Sequence, residues 1–267
     1  MSSAAAVNQR QTGEESRRRL MAPARTGGQR ARNGSLSLSL PTSAETKARW
    51  TWRGADAVCF DVDSTVCTDE AIDSVADFLG VGEQVAAVTR RAMGSGMSFR
   101  EALTERLLLM RPTKQQMDAY TKLHTPLLTP GIEELVRALR RRGIKVFLVS
   151  GGFRRLILPA ADLLGIPAEN VFANRILFDA RGEYAGFDAT QPTSASGGKT
   201  VVCASLKRDH GLQKLVMVGD GMTDLETWPE AADAFVGFGG NICREHVRQA
   251  APWFVTGFDE LRRELEK

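Results

Sequence analysis

The chain has 267 residues, 43% apolar and 25% charged, a size and balance that suit one large globular domain or two small ones. No apolar run approaches the ~20 residues needed to span a bilayer, so a membrane role has no support. The formal net charge of +3 conceals an asymmetry: residues 1–50 hold nine basic against three acidic side chains, and the other 217 residues carry −3. The basic excess lies outside the expected folded part and gives no support for nucleic-acid binding.

Residues 1–50 are rich in Ser, Arg, Gly and Ala, with no sustained apolar period. Such a segment cannot bury enough surface to offset its ordering entropy, and a disordered extension over 1–51 is expected. Arg- and Ser-rich composition also describes organelle transit peptides, although Glu14 and Glu15 count against one here. A cytoplasmic protein is expected, with plastid or mitochondrion as the alternative. Cys59, Cys67, Cys203 and Cys243 form no CxxC pair, and His124, His210 and His246 are scattered. This spacing suggests neither a zinc site nor a disulfide framework, so reduced thiols are expected.

Order is expected to begin near Trp52. Ala57–Phe60 reads as a first strand. Helical spacing follows over 69–80, 83–93, 98–110 and 114–123, where Leu103, Leu107 and Met110 recur as core positions. After the breaks at Thr125-Pro126 and Thr129-Pro130-Gly131, strands and helices alternate. A helix over 131–141 stops at Gly143, strand Lys145–Val149 follows, and then a helix over 153–164. A strand near 171–173 and a hairpin around Arg181-Gly182 come next. A helix over 199–209, strand Leu215–Val218, a helix from Thr223 and short strands near 234–236 and 253–255 complete the series. The pattern predicts an α/β fold with a Rossmann-like parallel sheet. Residues 52–71 and 128–267 would form the core, and 72–127 a small helical cap inserted over the sheet edge. Closure of that cap over substrate is a further expectation.

Three strand ends and one helix start carry polar residues. The first strand runs into Asp61-Val62-Asp63-Ser64-Thr65, and taken alone this is equally well read as an ordinary acidic turn. The second runs into Ser150-Gly151-Gly152. Ser196-Gly197-Gly198-Lys199 starts a helix, and Val218 leads into Gly219-Asp220-Gly221, with Thr223 and Asp224 beyond. Parallel strands bring such ends to one edge, where open α/β sheets bind ligands. Carboxylates without a His or Cys cluster suit a hard cation such as Mg2+. Ser150, the neighbouring glycine amides and Lys199 suit phosphate oxygens. A carboxylate beside both can accept a phosphoryl group, and a second one two residues on can supply a proton.

These motifs together resemble the haloacid dehalogenase superfamily. Arg90–Gly94, Ala102–Arg106, Phe172–Arg175, Gly186–Asp188 and Gly237–Asn241 extend the likeness, from about residue 55 onward, to its phosphoserine phosphatase family. The resemblance implies Mg2+-dependent hydrolysis of a small phosphomonoester, O-phospho-L-serine, as the last step of phosphorylated serine biosynthesis. It implies Asp61 as nucleophile and Asp63 as acid and base, with Mg2+ held by Asp61, the Asp63 carbonyl and Asp220. Thr65, Ser150, Gly151, Lys199 and Thr223 would contact phosphate. In the cap, Glu70 would take the substrate amine and Arg106 its carboxylate, with Met93 and Gly94 lining the pocket. A homodimer is implied on the same footing. Ser95-Gly96-Met97 and Met222 depart from the usual family pattern in ways that touch pocket shape. Two other readings stay open: another small-molecule phosphatase or phosphotransferase, and a non-catalytic binding protein on this scaffold.

Overall fold

The structure, a computed structural model, describes residues 43–94 and 96–267. The elements run α1 (Ser43–Arg53), β1 (Ala57–Phe60), α2 (Ala71–Phe78), α3 (Gly82–Gly94), α4 (Phe99–Met110), α5 (Lys114–Leu123) and α6 (Ile132–Arg141). Then come β2 (Lys145–Phe153), α7 (Arg154–Leu163), β3 (Val171–Asn174), β4 (Ile176–Phe178), β5 (Tyr184–Phe187) and α8 (Gly198–His210). The chain finishes with β6 (Leu215–Gly219), α9 (Met222–Leu225), β7 (Ala234–Phe238), α10 (Glu245–Ala250), β8 (Trp253–Val255) and α11 (Phe258–Leu265).

Six strands form one parallel sheet in the order β3-β2-β1-β6-β7-β8. The apolar run of β1 is buried at every position because helices cover both faces, as parallel sheets require. Alternate residues point to opposite layers. Val58, Phe60, Leu148, Val216 and Val236 pack with Leu135, Ile157 and Leu261. Cys59, Phe147, Met217 and Phe235 pack with Val202, Leu206 and Val247. From β1 the chain builds outward through β2 and β3, then returns to β6 on the other side. The β1–β6 junction is therefore the switch point of the sheet, where strand ends leave a crevice.

Helices α2–α5 lie between β1 and α6 in the chain and build a separate apolar cluster. Ile72, Val75, Leu103, Leu107, Met117 and Tyr120 pack with Phe153 and Leu156, flanked by Phe178 and Tyr184 of the antiparallel β4–β5 hairpin. Leu103, Leu107 and Met110 are buried, as their spacing predicts.

The expected start of order near Trp52 is corrected: α1 begins at Ser43, inside the stretch assigned to the extension. Trp52 is fully buried, its Nε1 donates to the Leu261 carbonyl at 3.0 Å, and its ring meets Trp253 edge-on at 6.1 Å. Arg49 pairs with Glu45, Glu260 and Glu264. These partners on α11 lie over 200 residues away, which a local apolar period cannot reveal. The rest of the expected extension, residues 1–42, lies outside the described residues.

Candidate active site

The first site residue sits where β1 ends. The Asp61 N–H still donates to the Val218 carbonyl of β6 at 2.9 Å, so the sheet fixes its backbone. Its Oδ1 accepts from the Val62 N–H at 2.7 Å. The chain then makes a wide turn over Val62–Val66, with Ser64 in the left-handed region at φ 56°. That conformation costs a non-glycine residue roughly 1–2 kcal/mol. Neighbours hold it there: the Ser64 N–H donates to the Asp69 carbonyl, and its hydroxyl donates to Glu70 Oε1 at 2.9 Å. Asn241 Nδ2 donates to the Ser64 carbonyl at 3.1 Å and to Thr129 Oγ1 at 2.7 Å. Asn241 was not among the expected site residues, because its contacts span more than 100 positions.

Lys199 reaches the site from the first turn of α8. Its Nζ lies 2.7 Å from Asp61 Oδ1 and 2.7 Å from Asp224 Oδ1. Burial alone would pull the ammonium below its usual range, but the two carboxylates more than offset this and hold it charged. Asp61, Asp220 and Asp224 bring carboxylate oxygens within 4.8 Å of one another. Among the expected ligands, the structure therefore unites Asp61 and Asp220. Asp224 adds a third carboxylate, while the contribution expected of Asp63 was its backbone carbonyl.

Asp63 keeps some solvent contact yet is surrounded by acidic neighbours. Its Oδ1 accepts from the Ala71 N–H at 3.0 Å. Burial first, then the charges of Glu70 and Asp61, push its carboxyl up to about 8. Asp63 therefore carries a proton at neutral pH, while Lys199 stands charged against Asp61. Two carboxyl groups two residues apart are thus made chemically different by their surroundings.

The second strand supplies Ser150, whose buried Oγ accepts from the Gly152 N–H at 2.9 Å. A side chain at Gly152 would press on Asp63 Oδ2, at 2.9 Å from its Cβ, so the two motifs touch directly. Thr65, expected at the phosphate, instead turns a fully buried hydroxyl toward Asp220 Oδ1 at 3.4 Å. Thr223 lies on α9, partly exposed beside Gly221.

Glu70 and Arg106 face the site from the inserted helices. Burial raises the Glu70 carboxyl, opposed chiefly by the Ser64 hydroxyl and aided by the charges of Asp220 and Asp61. Arg106 donates from Nε to the Ala102 carbonyl at 3.1 Å. Burial lowers its basicity, while the charges of Asp73, Glu70 and Asp63 act on it in the opposite sense. Among the described residues its guanidinium closes no ion pair. Gly94 ends α3 in open space, and the Met93 side chain lies outside the described residues.

Arg244 was not anticipated at all. Its Nε lies 2.7 Å from Asp220 Oδ2 and its Nη2 3.2 Å from Glu70 Oε1. It links the proposed metal side of the site to the proposed amine side. Its only sequence signal is its place shortly after Gly237–Asn241.

The donor chemistry suits a hard cation: every oxygen in the cluster is a carboxylate, with no His or thiol among them. Asp224 spends both oxygens on Lys199 and the Gly221 N–H, whereas Asp61 Oδ2 makes no such bond among the described residues.

A carboxylate paired with a buried lysine, a second carboxyl two residues on and an acidic cluster, all at the switch point of a parallel sheet, fit a phosphoryl-transfer hydrolase. The chain belongs to the haloacid dehalogenase-like hydrolase family, whose model matches residues 55–231. It is 54% identical over 213 residues to the phosphoserine phosphatase of Rattus norvegicus, covering 80% of this chain and 94% of that one. Among solved structures it resembles DsGPDH of Dunaliella salina, with a TM-score of 0.73 and 35% identity over 85% of this chain but 38% of that longer one. It also resembles a phospho-aspartyl intermediate analogue of phosphoserine phosphatase, with a TM-score of 0.67 and 26% identity over 78% of this chain and 98% of that one.

Proposed function

We propose that this protein is a Mg2+-dependent phosphatase that releases L-serine and phosphate from O-phospho-L-serine through an aspartyl-phosphate on Asp61. The observation that carries the chemistry is geometric: Asp61 lies 2.7 Å from the buried Lys199 and within one carboxylate cluster with Asp220 and Asp224, while Asp63, two residues on, stands against the Ser150-Gly151-Gly152 loop. High identity to a phosphoserine phosphatase over 94% of its length supports the substrate.

In the first half-reaction an Asp61 carboxylate oxygen attacks phosphorus. The bond from phosphorus to the serine oxygen breaks, and Asp63 delivers its proton to that oxygen. In the second, Asp63 takes a proton from water as the water oxygen attacks phosphorus, and the Asp61 carboxylate is released with phosphate. Lys199, the Ser150 hydroxyl and the Gly151 amide hold phosphate oxygens, with Thr223 at the rim. Thr65 contributes by holding Asp220. Asp61, Asp220 and the Asp63 carbonyl would hold Mg2+, which when bound neutralises phosphate charge that would otherwise repel the acidic cluster.

Specificity rests on the inserted helices, read here as a cap. Phosphoserine carries an ammonium and a carboxylate beside its phosphate. Glu70 suits the first and the guanidinium of Arg106, which closes no ion pair among the described residues, the second, with Met93 and Gly94 as pocket lining.

A substrate panel tests this reading. Phosphoserine should be hydrolysed with Mg2+ far faster than sugar phosphates, and Arg106→Ala should raise KM for phosphoserine without a matching effect on p-nitrophenyl phosphate. Equal turnover of all substrates, or an unchanged KM in Arg106→Ala, would point to another phosphatase.

A further inference from the structure

The dipeptide Phe99-Arg100 opens α4 and meets both loops that flank the proposed phosphate site. A Cβ at Gly151 would lie 2.7 Å from the Phe99 ring, so the ring packs directly on the loop that carries Ser150. Arg100 reaches across to the segment before α8. Its Nη2 donates to Ser194 Oγ at 3.0 Å and to the Ala189 carbonyl at 3.2 Å, and its Nε to the Ser194 carbonyl at 3.4 Å. The Phe99 N–H adds a bond to Ser196 Oγ at 3.4 Å.

The segment that Arg100 grips is tied to the phosphate side of the site. Asn174 is fully buried, and its Nδ2 donates to the Gly151 carbonyl at 2.8 Å and to the Thr193 carbonyl at 3.3 Å. Thr193 Oγ1 returns a bond to Asn174 Oδ1 at 2.8 Å. Gly198 sits so close to this turn that a Cβ there would fall 2.0 Å from the Pro192 carbonyl oxygen. Residues 192–194 thus set the start of α8, whose second residue is Lys199.

We infer that Arg100 is a positioning residue that couples the seating of the inserted helices to the alignment of Gly151 and Lys199. The inference rests on the phosphatase reading of those two residues. Arg100 is exposed, while its partner Ser194 is fully buried. Its bonds can exchange with water at low cost, which suits a contact that opens and closes with each turnover. The partner loop, by contrast, is buried at Thr193 and Ser194 and bonded to Asn174.

Two readouts test this with Arg100→Ala, Arg100→Lys and Ser194→Ala. Hydrogen exchange of the substrate-free protein reads the contact alone: Arg100→Ala should speed exchange over both 99–104 and 192–199, with β1 and β6 unchanged. In steady-state kinetics, Arg100→Ala should lower kcat/KM for phosphoserine about tenfold, with part regained in Arg100→Lys. The loss in the Arg100→Ala/Ser194→Ala pair should fall short of the product of the two single losses, because both variants remove the bond from Arg100 Nη2 to Ser194 Oγ, while Ser194→Ala also removes a bond to the Gln191 carbonyl. Exchange changes confined to α4, losses that multiply in the double variant, or a kcat/KM within about twofold of wild type would each overturn the inference. A wild-type protein inactive on phosphoserine would instead sink the substrate assignment, and the exchange pattern would still decide whether Arg100 couples the two regions.

Discussion

Asp224 and Lys199 form a buried ion pair at 2.7 Å behind the proposed nucleophile. The other Asp224 oxygen accepts from the Gly221 N–H at 3.1 Å, so the carboxylate is fixed at both ends. Asp224 therefore aims the ammonium at Asp61. Removing Asp224 leaves Lys199 with Asp61 at 2.7 Å as its remaining charge partner, and leaves the Gly221 N–H without its acceptor. Asp224→Ala should destabilise the fold by roughly 1–3 kcal/mol, read by urea unfolding. The milder Asp224→Asn should lower kcat about 10²-fold, in the range seen when one preorganised electrostatic contact is lost.

Asp63 is assigned a proton-transfer role, and leaving-group chemistry isolates it. Asp63→Asn should slow phosphoserine turnover about 10²- to 10⁴-fold, the usual worth of general acid–base catalysis. Formation of the phosphoenzyme from p-nitrophenyl phosphate should suffer far less, because nitrophenolate leaves without a proton. Rapid-quench kinetics on both substrates would measure the difference, and equal losses would remove Asp63 from the acid role.

Arg244 lies 2.7 Å from Asp220 Oδ2 and offsets one negative charge at the acidic cluster. In Arg244→Ala that offset is lost, so a divalent cation should bind several-fold more tightly. Calorimetric titration with Mg2+ alone reads this directly, and weaker binding in the variant would contradict it.

Trp52 anchors α1 onto α11 and β8 through its Leu261 bond and its contact with Trp253. Trp52→Ala should cost about 3–5 kcal/mol of stability, measured by chemical denaturation, with little change in kcat at temperatures where the variant stays folded.

What was legible in the sequence follows the range of the interactions involved. β1, β2 and β6 could be read because strands buried on both faces appear as continuous apolar runs, and their polar ends fall on one edge by topology alone. Lys199 and Asp220 were reachable by the same argument. Arg244 and Asn241 were not, because each joins residues more than 100 positions apart. α1 failed for a related reason: Ala48, Thr51 and Trp52 make too short a stripe to register, and burial arises only against the C-terminal helix. The contact of Thr65 with Asp220 was likewise out of reach, since it joins residues 155 positions apart.

The most direct test of the central claim is to trap the covalent intermediate. Phosphoserine labelled on phosphorus, mixed with enzyme and Mg2+ and quenched in acid within milliseconds, should leave label on the peptide that contains Asp61. The label should be chased by unlabelled substrate and absent from Asp61→Asn, which should also lack turnover. Turnover without label on that peptide, or turnover that survives in Asp61→Asn, would contradict the account.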